Sequence, residues 1–202
     1  MTPDDILPTY EKVGRAFTAK RNRTLWEKPL LDWLQQTAPG PCLLDIGCGG
    51  GLPIARYLVD QGAEVTALDG AHGMVAICRE NVPEATVLHA DMRAFDLGEK
   101  FDGLIAFNSF FHLSPADQAK AFACFSAHAK RGASLVFTSG PDAGEDTGEV
   151  EGEPVYHASL SPAGYRALFA THGWDEVAFL PESTVFRGHT IWQIRKRKDF
   201  AF

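Results

Sequence analysis

The strongest structural signal in the sequence is the segment CLLDIGCGGGLPIARYL, residues 42–58. Its first five residues form a short apolar run with the length of a buried strand. A turn containing Gly47, Gly49 and Gly51 follows, and Pro53 stands where a helix would begin. Such a turn needs glycine because a β-carbon would forbid its backbone angles and would keep a ligand away from the main chain. Turns of this kind bind nucleotides in doubly wound α/β sheets.

Further apolar runs follow this segment and alternate with amphipathic stretches. They are AEVTALD (63–69), ATVLHA (85–90), FDGLIAFN (101–108) and ASLVFTS (133–139). This alternation predicts a parallel sheet covered by helices. Two last runs, WDEVAFLP (174–181) and GHTIWQIRK (188–196), are separated by hairpin spacing. We therefore expect an α/β fold with a doubly wound, mostly parallel seven-stranded sheet, helices on both faces and a C-terminal antiparallel strand pair.

Proline, glycine and serine mark the ends of three intervening helices. The prolines near the first turns are Pro53, Pro115 and Pro162, and the glycines just past the ends are Gly62, Gly132 and Gly173. Ser114 and Ser161 are the expected N-caps. Upstream, residues 9–37 are expected to form a helix in spite of Pro29, with one apolar face that packs over the sheet edge or the site.

One segment, residues 140–154, departs from this pattern. Its sequence, GPDAGEDTGEVEGEP, carries six acidic residues and no basic one. We expect a loop here. Two interpretations stay open: a mobile lid that favours a cationic acceptor, or a solvated loop without a functional role.

Composition narrows the classes of partner. The chain has 202 residues and 45% hydrophobic content, which suits one domain, and its net charge of −7 disfavours binding to a nucleic-acid phosphate backbone. The four cysteines are widely spaced, and the first residues lack the basic and apolar runs of a signal peptide. No apolar run reaches the roughly 20 residues of a membrane span. We therefore expect a cytoplasmic protein with reduced thiols and no membrane or nucleic-acid partner.

Spacing within the glycine turn separates two classes of ligand. A dinucleotide turn needs a small residue three positions after its second glycine, and the sequence has Leu52 there. The pattern is instead acid-x-G-x-G-x-G, with Asp45 two residues before Gly47. An acid beside the turn suits an ammonium group better than a pyrophosphate.

The segment Asp45 to Gly51 resembles the first motif of the class I, Rossmann-like S-adenosylmethionine-dependent methyltransferases, and the later acids follow that family's order. The resemblance implies S-adenosylmethionine as cofactor and S-adenosylhomocysteine as product. It also implies cofactor contacts at Asp69 and Gly70 (ribose), at Asp91 and Met92 (adenine), at Asn108 (the sulfonium end) and in the turn at Asp45, Gly47, Cys48, Gly49 and Gly51. Asp69, Asp91 and Asn108 could instead cap turns or helices.

The resemblance also predicts how the chain is divided and which class of acceptor it uses. Residues 1–202 are expected to form one methyltransferase domain, with a helical cap (1–39), a cofactor-binding core (40–140) and a C-terminal part (141–202) that holds the acidic loop, the last helix and the hairpin strands. The end of the fourth strand has Asn108-Ser109-Phe110 and lacks the Asn-Pro-Pro-aromatic motif typical of nucleic-acid amino-methyltransferases. With the acidic charge, this favours a small-molecule acceptor. The segments FNSFFHLSPADQ (107–118), FTSG (137–140) and YHASLSPAGYRALFATHGW (156–174), with the acidic loop, resemble one uncharacterised bacterial branch of these enzymes.

Candidate catalytic residues follow from the need to position an acceptor or to remove its proton. His112 precedes a helix at the carboxyl edge of the sheet, so it is either a base or positioning group or a structural histidine. Tyr156 and His157 could face the cleft or belong to a short strand. Tyr10 could reach the cofactor's carboxylate. No histidine pair has metal-ligand spacing, so no metal is expected.

Two other functions stay open at this stage. One is a nicotinamide or flavin oxidoreductase on the same sheet, which Asp45 and Leu52 disfavour. The other is a sensor or partner protein that binds the cofactor without catalysis. The acceptor and the oligomeric state do not follow from the sequence.

Overall fold

The computed structural model describes residues 1–21 and 24–199. Its helices are α1 Ile6–Lys20, α2 Lys28–Thr37, α3 Ile54–Asp60, α4 His72–Asn81, α5 Pro115–Ala127 and α6 Pro162–His172. Its strands are β1 Cys42–Ile46, β2 Glu64–Asp69, β3 Thr86–His89, β4 Phe101–Ala106, β5 Ala129–Ser139, β6 Gly144–Val150, β7 Glu153–Ser159, β8 Trp174–Ser183 and β9 His189–Lys196. Short 3₁₀ helices lie at Pro3–Asp5, Phe110–His112 and Thr184–Phe186.

Seven strands form the main sheet in the order β3-β2-β1-β4-β5-β9-β8. Strands β1 to β5 are parallel, while β9 is antiparallel to both β5 and β8. The predicted fold class is therefore confirmed. The strand order reverses between β1 and β4, and ligands of open α/β sheets bind in the crevice at the carboxyl ends of the strands at such a point.

Two hydrophobic layers cover the sheet. On one face, Phe122 of α5 and Phe169 of α6 pack with Phe137 and Trp192 of the sheet. On the other face, helices α2, α3 and α4 pack against β1, β2 and β4. Alternate residues of a strand point to opposite faces, which is why Leu44 of β1 joins the first layer and Leu43 the second. Both faces of the central strands are buried, as expected of a parallel sheet.

The cap signals are confirmed at two helices. The Ser114 side chain accepts a hydrogen bond from Asp117 N, and the Ser161 side chain accepts one from Gly164 N. Gly173 ends α6 with a φ of 70°. The prediction for Gly132 is wrong, because α5 ends at Ala127 and Gly132 lies inside β5 with a φ of 79°. It occupies a bulge, where the register of β5 against β4 shifts.

The single helix predicted over residues 9–37 is wrong. The structure has two helices, α1 and α2, and Leu25 between them has a φ of 51°. Pro29 lies in the first turn of α2, where a missing N–H does no harm, so proline begins a second helix here. Residues 22 and 23 of the predicted helix lie outside the described residues, as do residues 200–202 of the C-terminal part.

The loop predicted over residues 140–154 is also wrong. Most of it belongs to a two-stranded antiparallel sheet, β6 and β7, hereafter the acidic hairpin. The hairpin packs against α1 through an apolar cluster that includes Ile6, Val155 and Tyr156. Lys12 of α1 bonds Glu153 at 2.7 Å, and Lys20 pairs with Glu151. Charge content alone predicted a solvated loop, but these α1 contacts give the acidic strands a partner.

Two further features bear on the compartment and membrane expectations. All four cysteines are free thiols. Within the described part of the chain, none of the helices combines the length and apolarity needed to cross a membrane.

Candidate active site

A cavity of about 420 Å³ lies at the carboxyl ends of β1 to β4. The glycine turn lines it below, and α1 covers it with Leu7, Tyr10 and Phe17. The acidic hairpin closes another side with residues that include Val155 and His157. This volume lies within the range of small-molecule and cofactor sites.

The glycine turn presents its main chain to this cavity. Gly49 has a φ of 53°, and a β-carbon built on it would meet nothing within 4 Å, so its backbone faces open space. Gly51 has a different place: its β-carbon would lie 2.7 Å from the Cys78 sulfur of α4. Gly51 does not line the cavity. Gly51 therefore serves the packing of the turn against α4, and its cofactor contact stays a prediction, whereas Gly47, Cys48 and Gly49 line the cavity.

Asp69 joins the end of β2 to the glycine turn. Its Oδ2 accepts a hydrogen bond from Gly49 N at 2.9 Å, and its Oδ1 accepts one from Ala71 N at 2.9 Å. Burial raises the pKa of this carboxyl, and the two backbone donors oppose that shift. Gly70 follows, and a β-carbon there would come within 2.7 Å of Leu7. Glycine at this position lets α1 lie close over the cavity.

Asp45 is a buried carboxyl with one oxygen unused. Its relative exposure is 2%, and its Oδ2 has no hydrogen-bond partner among the described residues. Burial raises the pKa of Asp45 to about 7, the charge of Asp69 adds to the rise, and Arg21 opposes it. A buried polar atom without a partner costs on the order of 1–3 kcal/mol. Asp45 lines the cavity, so a ligand donor there would relieve this cost.

Asp91 and Met92 line the cavity at the end of β3. The Asp91 carboxylate is bound by the Arg93 guanidinium, with an Nη2 to Oδ2 distance of 2.6 Å, and this bond lowers the pKa of Asp91. Arg93 also lines the cavity and pairs with Asp117 at 3.6 Å. Sequence reasoning missed Arg93, although its place two residues after a candidate acid was a usable signal.

His112 is buried between α1 and the acidic hairpin. Its Nδ1 lies 2.8 Å from Tyr156 O, and its Nε2 lies 3.1 Å from the Tyr10 hydroxyl. A carbonyl oxygen only accepts, so Nδ1 carries the hydrogen and Nε2 accepts the Tyr10 O–H. Burial lowers the pKa of His112 to about 4 and raises that of Tyr10 to about 12. Both groups are therefore neutral at physiological pH. Tyr10, predicted to contact the cofactor, is bonded to the candidate base.

The structure separates the other two catalytic candidates. His157 lines the cavity and packs edge-on against Phe111, with ring centroids 4.8 Å apart. Tyr156 does not line the cavity; its side chain is buried in the cluster between α1 and the acidic hairpin. Neighbouring residues of a strand point to opposite sides, which explains this outcome. Only the Tyr156 carbonyl takes part, as the acceptor from His112.

Asn108 follows β4 and also lines the cavity. Its backbone has a φ of 52°, and its N–H donates to Thr138 Oγ1 at 2.8 Å. Its Nδ2 lies 3.1 Å from His189 Nε2, and its Oδ1 is buried without a partner among the described residues. His189, which no motif in the sequence pointed to, lines the cavity too. Only the fold brings residues 108 and 189 together.

A family model matches part of the chain. Residues 43–132 match the model of a methyltransferase domain. The matched segment contains the glycine turn, Asp45, Asp69, Asp91, Asn108 and His112, whereas Tyr10, His157 and His189 lie outside it.

One relative with a curated name is a dTDP-3-amino-3,6-dideoxy-alpha-D-glucopyranose N,N-dimethyltransferase from Streptomyces fradiae, 39% identical over 88 residues. The match covers 43% of this chain and 34% of the relative, so this chain spans about a third of that protein's length.

Solved structures extend the likeness over the whole fold. An amino pentose methyltransferase from Micromonospora echinaspora, bound to S-adenosylmethionine, has a TM-score of 0.70 and 21% identity, covering 93% of this chain and 96% of its own. A magnesium protoporphyrin IX methyltransferase from Synechocystis PCC 6803 has a TM-score of 0.73 and 17% identity, covering 96% of each chain. At these identities the likeness shows the fold.

Proposed function

We propose that this chain is an enzyme that transfers a methyl group from S-adenosylmethionine to a small-molecule acceptor. The observation that carries the proposal is the cavity at the sheet edge. The open glycine turn meets there with Asp69, which it bonds, and with Asp45, whose Oδ2 has no partner within residues 1–21 and 24–199. The methyltransferase domain match and the S-adenosylmethionine-bound neighbour support it.

The cavity fits the cofactor in its charges and its unused acceptors. S-adenosylmethionine carries an ammonium and a sulfonium, and Asp45 offers a buried carboxylate oxygen without a partner among the described residues. Thr18 Oγ1 of α1, in the cavity lining, is a second buried oxygen for which the described part of the chain supplies no partner. Asp69, with each oxygen already bonded to one backbone N–H, keeps lone pairs for ribose hydroxyls. Asp91 and Met92 at the next strand end would take the adenine.

The bound cofactor would supply an activated methyl carbon, so the chain's own task is to hold the acceptor in line with it and exclude water. Helix α1 and the acidic hairpin enclose the cavity for this purpose. Contact with the Cys78 thiol, together with burial, raises the pKa of the Cys48 thiol well above its usual range, so Cys48 is a poor nucleophile.

His112 serves better as a positioning group than as a base. Its pKa of about 4 means that a proton taken from an acceptor would be held poorly, and its Nε2 lone pair is already occupied by the Tyr10 hydroxyl. A neutral amine needs no base before it attacks, whereas a hydroxyl usually does. This favours an amine acceptor, and the amino-sugar N,N-dimethyltransferase from S. fradiae is consistent with that choice. Glu149 of the acidic hairpin lines the cavity and would favour a cationic group nearby.

The test is S-adenosylhomocysteine formation from S-adenosylmethionine with a panel of amino sugars, other primary and secondary amines, and phenols. We expect product with at least one amine, and less with the phenols. Binding of S-adenosylmethionine without product from any acceptor would favour the alternative, a non-catalytic cofactor-binding protein. Stabilisation by a nicotinamide cofactor in place of S-adenosylmethionine would contradict the proposal.

We further infer a cytoplasmic location, because four free thiols suit a reducing compartment.

A further inference from the structure

His189 lies at the start of β9, outside the segment 43–132 that matches the methyltransferase-domain model, and it still lines the cavity. Its ring bonds the side chain of Asn108 across the sheet. The two residues are 81 positions apart in the sequence, and β5 lies between their strands. The direction of their hydrogen bond decides which end of the Asn108 amide the cavity meets.

The direction follows from the second bond of the imidazole. His189 Nδ1 lies 2.8 Å from Phe186 O, and a carbonyl oxygen only accepts, so Nδ1 carries the hydrogen. In the neutral ring Nε2 then holds a lone pair. Asn108 must therefore donate from Nδ2, at 3.1 Å, and its Oδ1 turns away from the ring. This is the oxygen that is buried without a partner among the described residues.

Both ends of this pair are fixed. The His189 ring stacks on Phe107, with ring centroids 5.8 Å apart and an interplanar angle of 21°. The Trp26 ring also packs on it, with ring centroids 4.9 Å apart. The Asn108 backbone is held by its bond to Thr138. The amide is therefore held in a single orientation.

Along the sheet edge, Asp69 and Asp45 belong to β2 and β1, Asp91 and Asn108 follow β3 and β4, and His189 begins β9. If the nucleoside lies on Asp69 and Asp91, the reactive end of the cofactor reaches the Asn108 side of the cavity. Acceptor space then extends toward His189.

We propose that His189 is a positioning residue that aims Asn108 Oδ1 at the methyl-transfer point, where Oδ1 accepts a hydrogen bond from an N–H or O–H of the acceptor's nucleophile. The inference rests on the proposed function. It restricts the acceptor to a nucleophile that bears hydrogen, such as a primary or secondary amine. The nucleophile's lone pair forms the new bond to carbon, the electron pair of the broken carbon–sulfur bond stays on sulfur, and the nucleophile's proton leaves to water.

Two known ligands test this without an identified acceptor. Sinefungin carries an amine where S-adenosylmethionine has its methyl group, and S-adenosylhomocysteine has no group there. The ratio of their dissociation constants therefore measures how strongly the protein binds a hydrogen-bond donor at the methyl position. A substitution that disturbs the rest of the cavity weakens both ligands and leaves the ratio unchanged. We expect wild-type protein to prefer sinefungin by about tenfold, the effect of one charge-assisted hydrogen bond.

Three variants separate positioning from packing. His189→Phe keeps the aromatic contacts and removes the lone pair, so the sinefungin preference should fall to about twofold or less. Asn108→Gly suits the positive φ, removes the amide, and should have the same effect. In His189→Gln, an amide oxygen can accept from Asn108, so part of the preference should return. His172→Phe, a matched change of a half-buried histidine that packs on Phe122 outside the cavity lining, should leave the ratio unchanged.

A spectroscopic measurement on the wild-type protein needs no variant. Long-range ¹⁵N–¹H correlation should show His189 at neutral pH with hydrogen on Nδ1 and none on Nε2. The opposite tautomer would overturn the inference, and so would an unchanged ratio in both His189→Phe and Asn108→Gly. If neither ligand bound the folded wild-type protein, the proposed function itself would fail. Binding of both ligands with an unaffected ratio would remove only the role of His189.

Discussion

The cavity has two halves of opposite chemistry. Asp45, Asp69 and Asp91 line the half beside β1, β2 and β3, hereafter the carboxylate half. His112, His157 and His189 line the half beside β4, β7 and β9, hereafter the histidine half. The carboxylates come from 47 consecutive residues, all within the segment 43–132 that matches the methyltransferase-domain model. The histidines span 78 residues, and two of them lie outside that segment.

The two halves would have different tasks: the carboxylate half would bind the cofactor, and the histidine half would bind the acceptor. The carboxylate half would contact the proposed cofactor, which methyltransferases with different acceptors share, and its acids lie at or near the ends of neighbouring parallel strands. The histidine half is built from a 3₁₀ helix, the acidic hairpin and an antiparallel strand. Its residues would meet the acceptor, which differs from one enzyme to another. The two halves should therefore respond differently to pH and to substitution.

The largest expected effect comes from Asp45. Its pKa in the folded protein is about 7, against 3.8 ordinarily, so the carboxyl ionises in the unfolded chain first. The free energy of unfolding should fall as pH rises from 4 to 7, by about 4 kcal/mol in total. Asp45→Asn has no carboxyl to ionise, so its free energy of unfolding should not show this loss. Urea unfolding of both proteins at pH 4, 5.5 and 8 measures the difference between their free energies of unfolding. A difference that stays constant with pH would contradict the raised pKa of Asp45.

His112 should give the free energy of unfolding the opposite dependence on pH. Its pKa of about 4 in the folded protein lies below the ordinary 6.5, so as pH falls below 6.5 the unfolded chain gains a proton that the folded one refuses. The contribution is present above pH 6.5 and is lost by pH 4, at about 3 kcal/mol in total. His112→Gln should flatten this part of the stability profile. His89 is exposed, so His89→Gln is the matched control. If the two variants had equal profiles of unfolding free energy against pH, the proposed difference between the two halves would be wrong.

Asp91 should have a smaller effect, confined to ligand binding. Asp91→Ala removes the proposed adenine contact and should weaken S-adenosylhomocysteine binding about tenfold. Arg93 bonds the same carboxylate, so Arg93→Gln serves as a comparison that keeps the acid and removes its partner. Isothermal calorimetry should show the greater loss for Asp91→Ala. Equal affinity in Asp91→Ala and the wild type would place the nucleoside elsewhere.

The contacts between α1 and the acidic hairpin should have the smallest effect on stability. Exposed ion pairs contribute on the order of 0–1 kcal/mol, so Lys12→Gln with Lys20→Gln should lower the unfolding free energy by less than about 1 kcal/mol. The same change loosens the cover of the cavity, so bound S-adenosylhomocysteine should leave faster, with a stopped-flow rate raised severalfold. An unchanged rate would show that the cover does not limit release.

The sequence predicted the carboxylate half because each of its signals is local. A strand, a glycine turn and an acid at the next strand end follow from short windows around residues 45, 69 and 91, and the seven-stranded sheet follows from the same periodicity. His112 was also within reach, since it lies just after β4. The acidic hairpin was missed because an acidic composition does not reveal that two lysines of α1 face it.

The histidine half depended on tertiary structure. His189 gave no sequence signal, because its role arises only when β9 inserts between β5 and β8. Tyr156 and His157 are neighbours, and which of them faces the cavity depends on the register of β7, which no short window determines. Even within the glycine motif, the packing of Gly51 against Cys78 could not be predicted, because it depends on where α4 lies.

A calorimetric titration of the purified protein with S-adenosylmethionine and S-adenosylhomocysteine, repeated on Asp69→Ala, tests the proposed cofactor site. Both ligands should bind the wild type, and the substitution should weaken the binding of each by at least tenfold, because charge-assisted hydrogen bonds are lost. Well-folded wild-type protein that binds neither ligand, or an Asp69→Ala variant that binds both as tightly as the wild type, would contradict the proposed site.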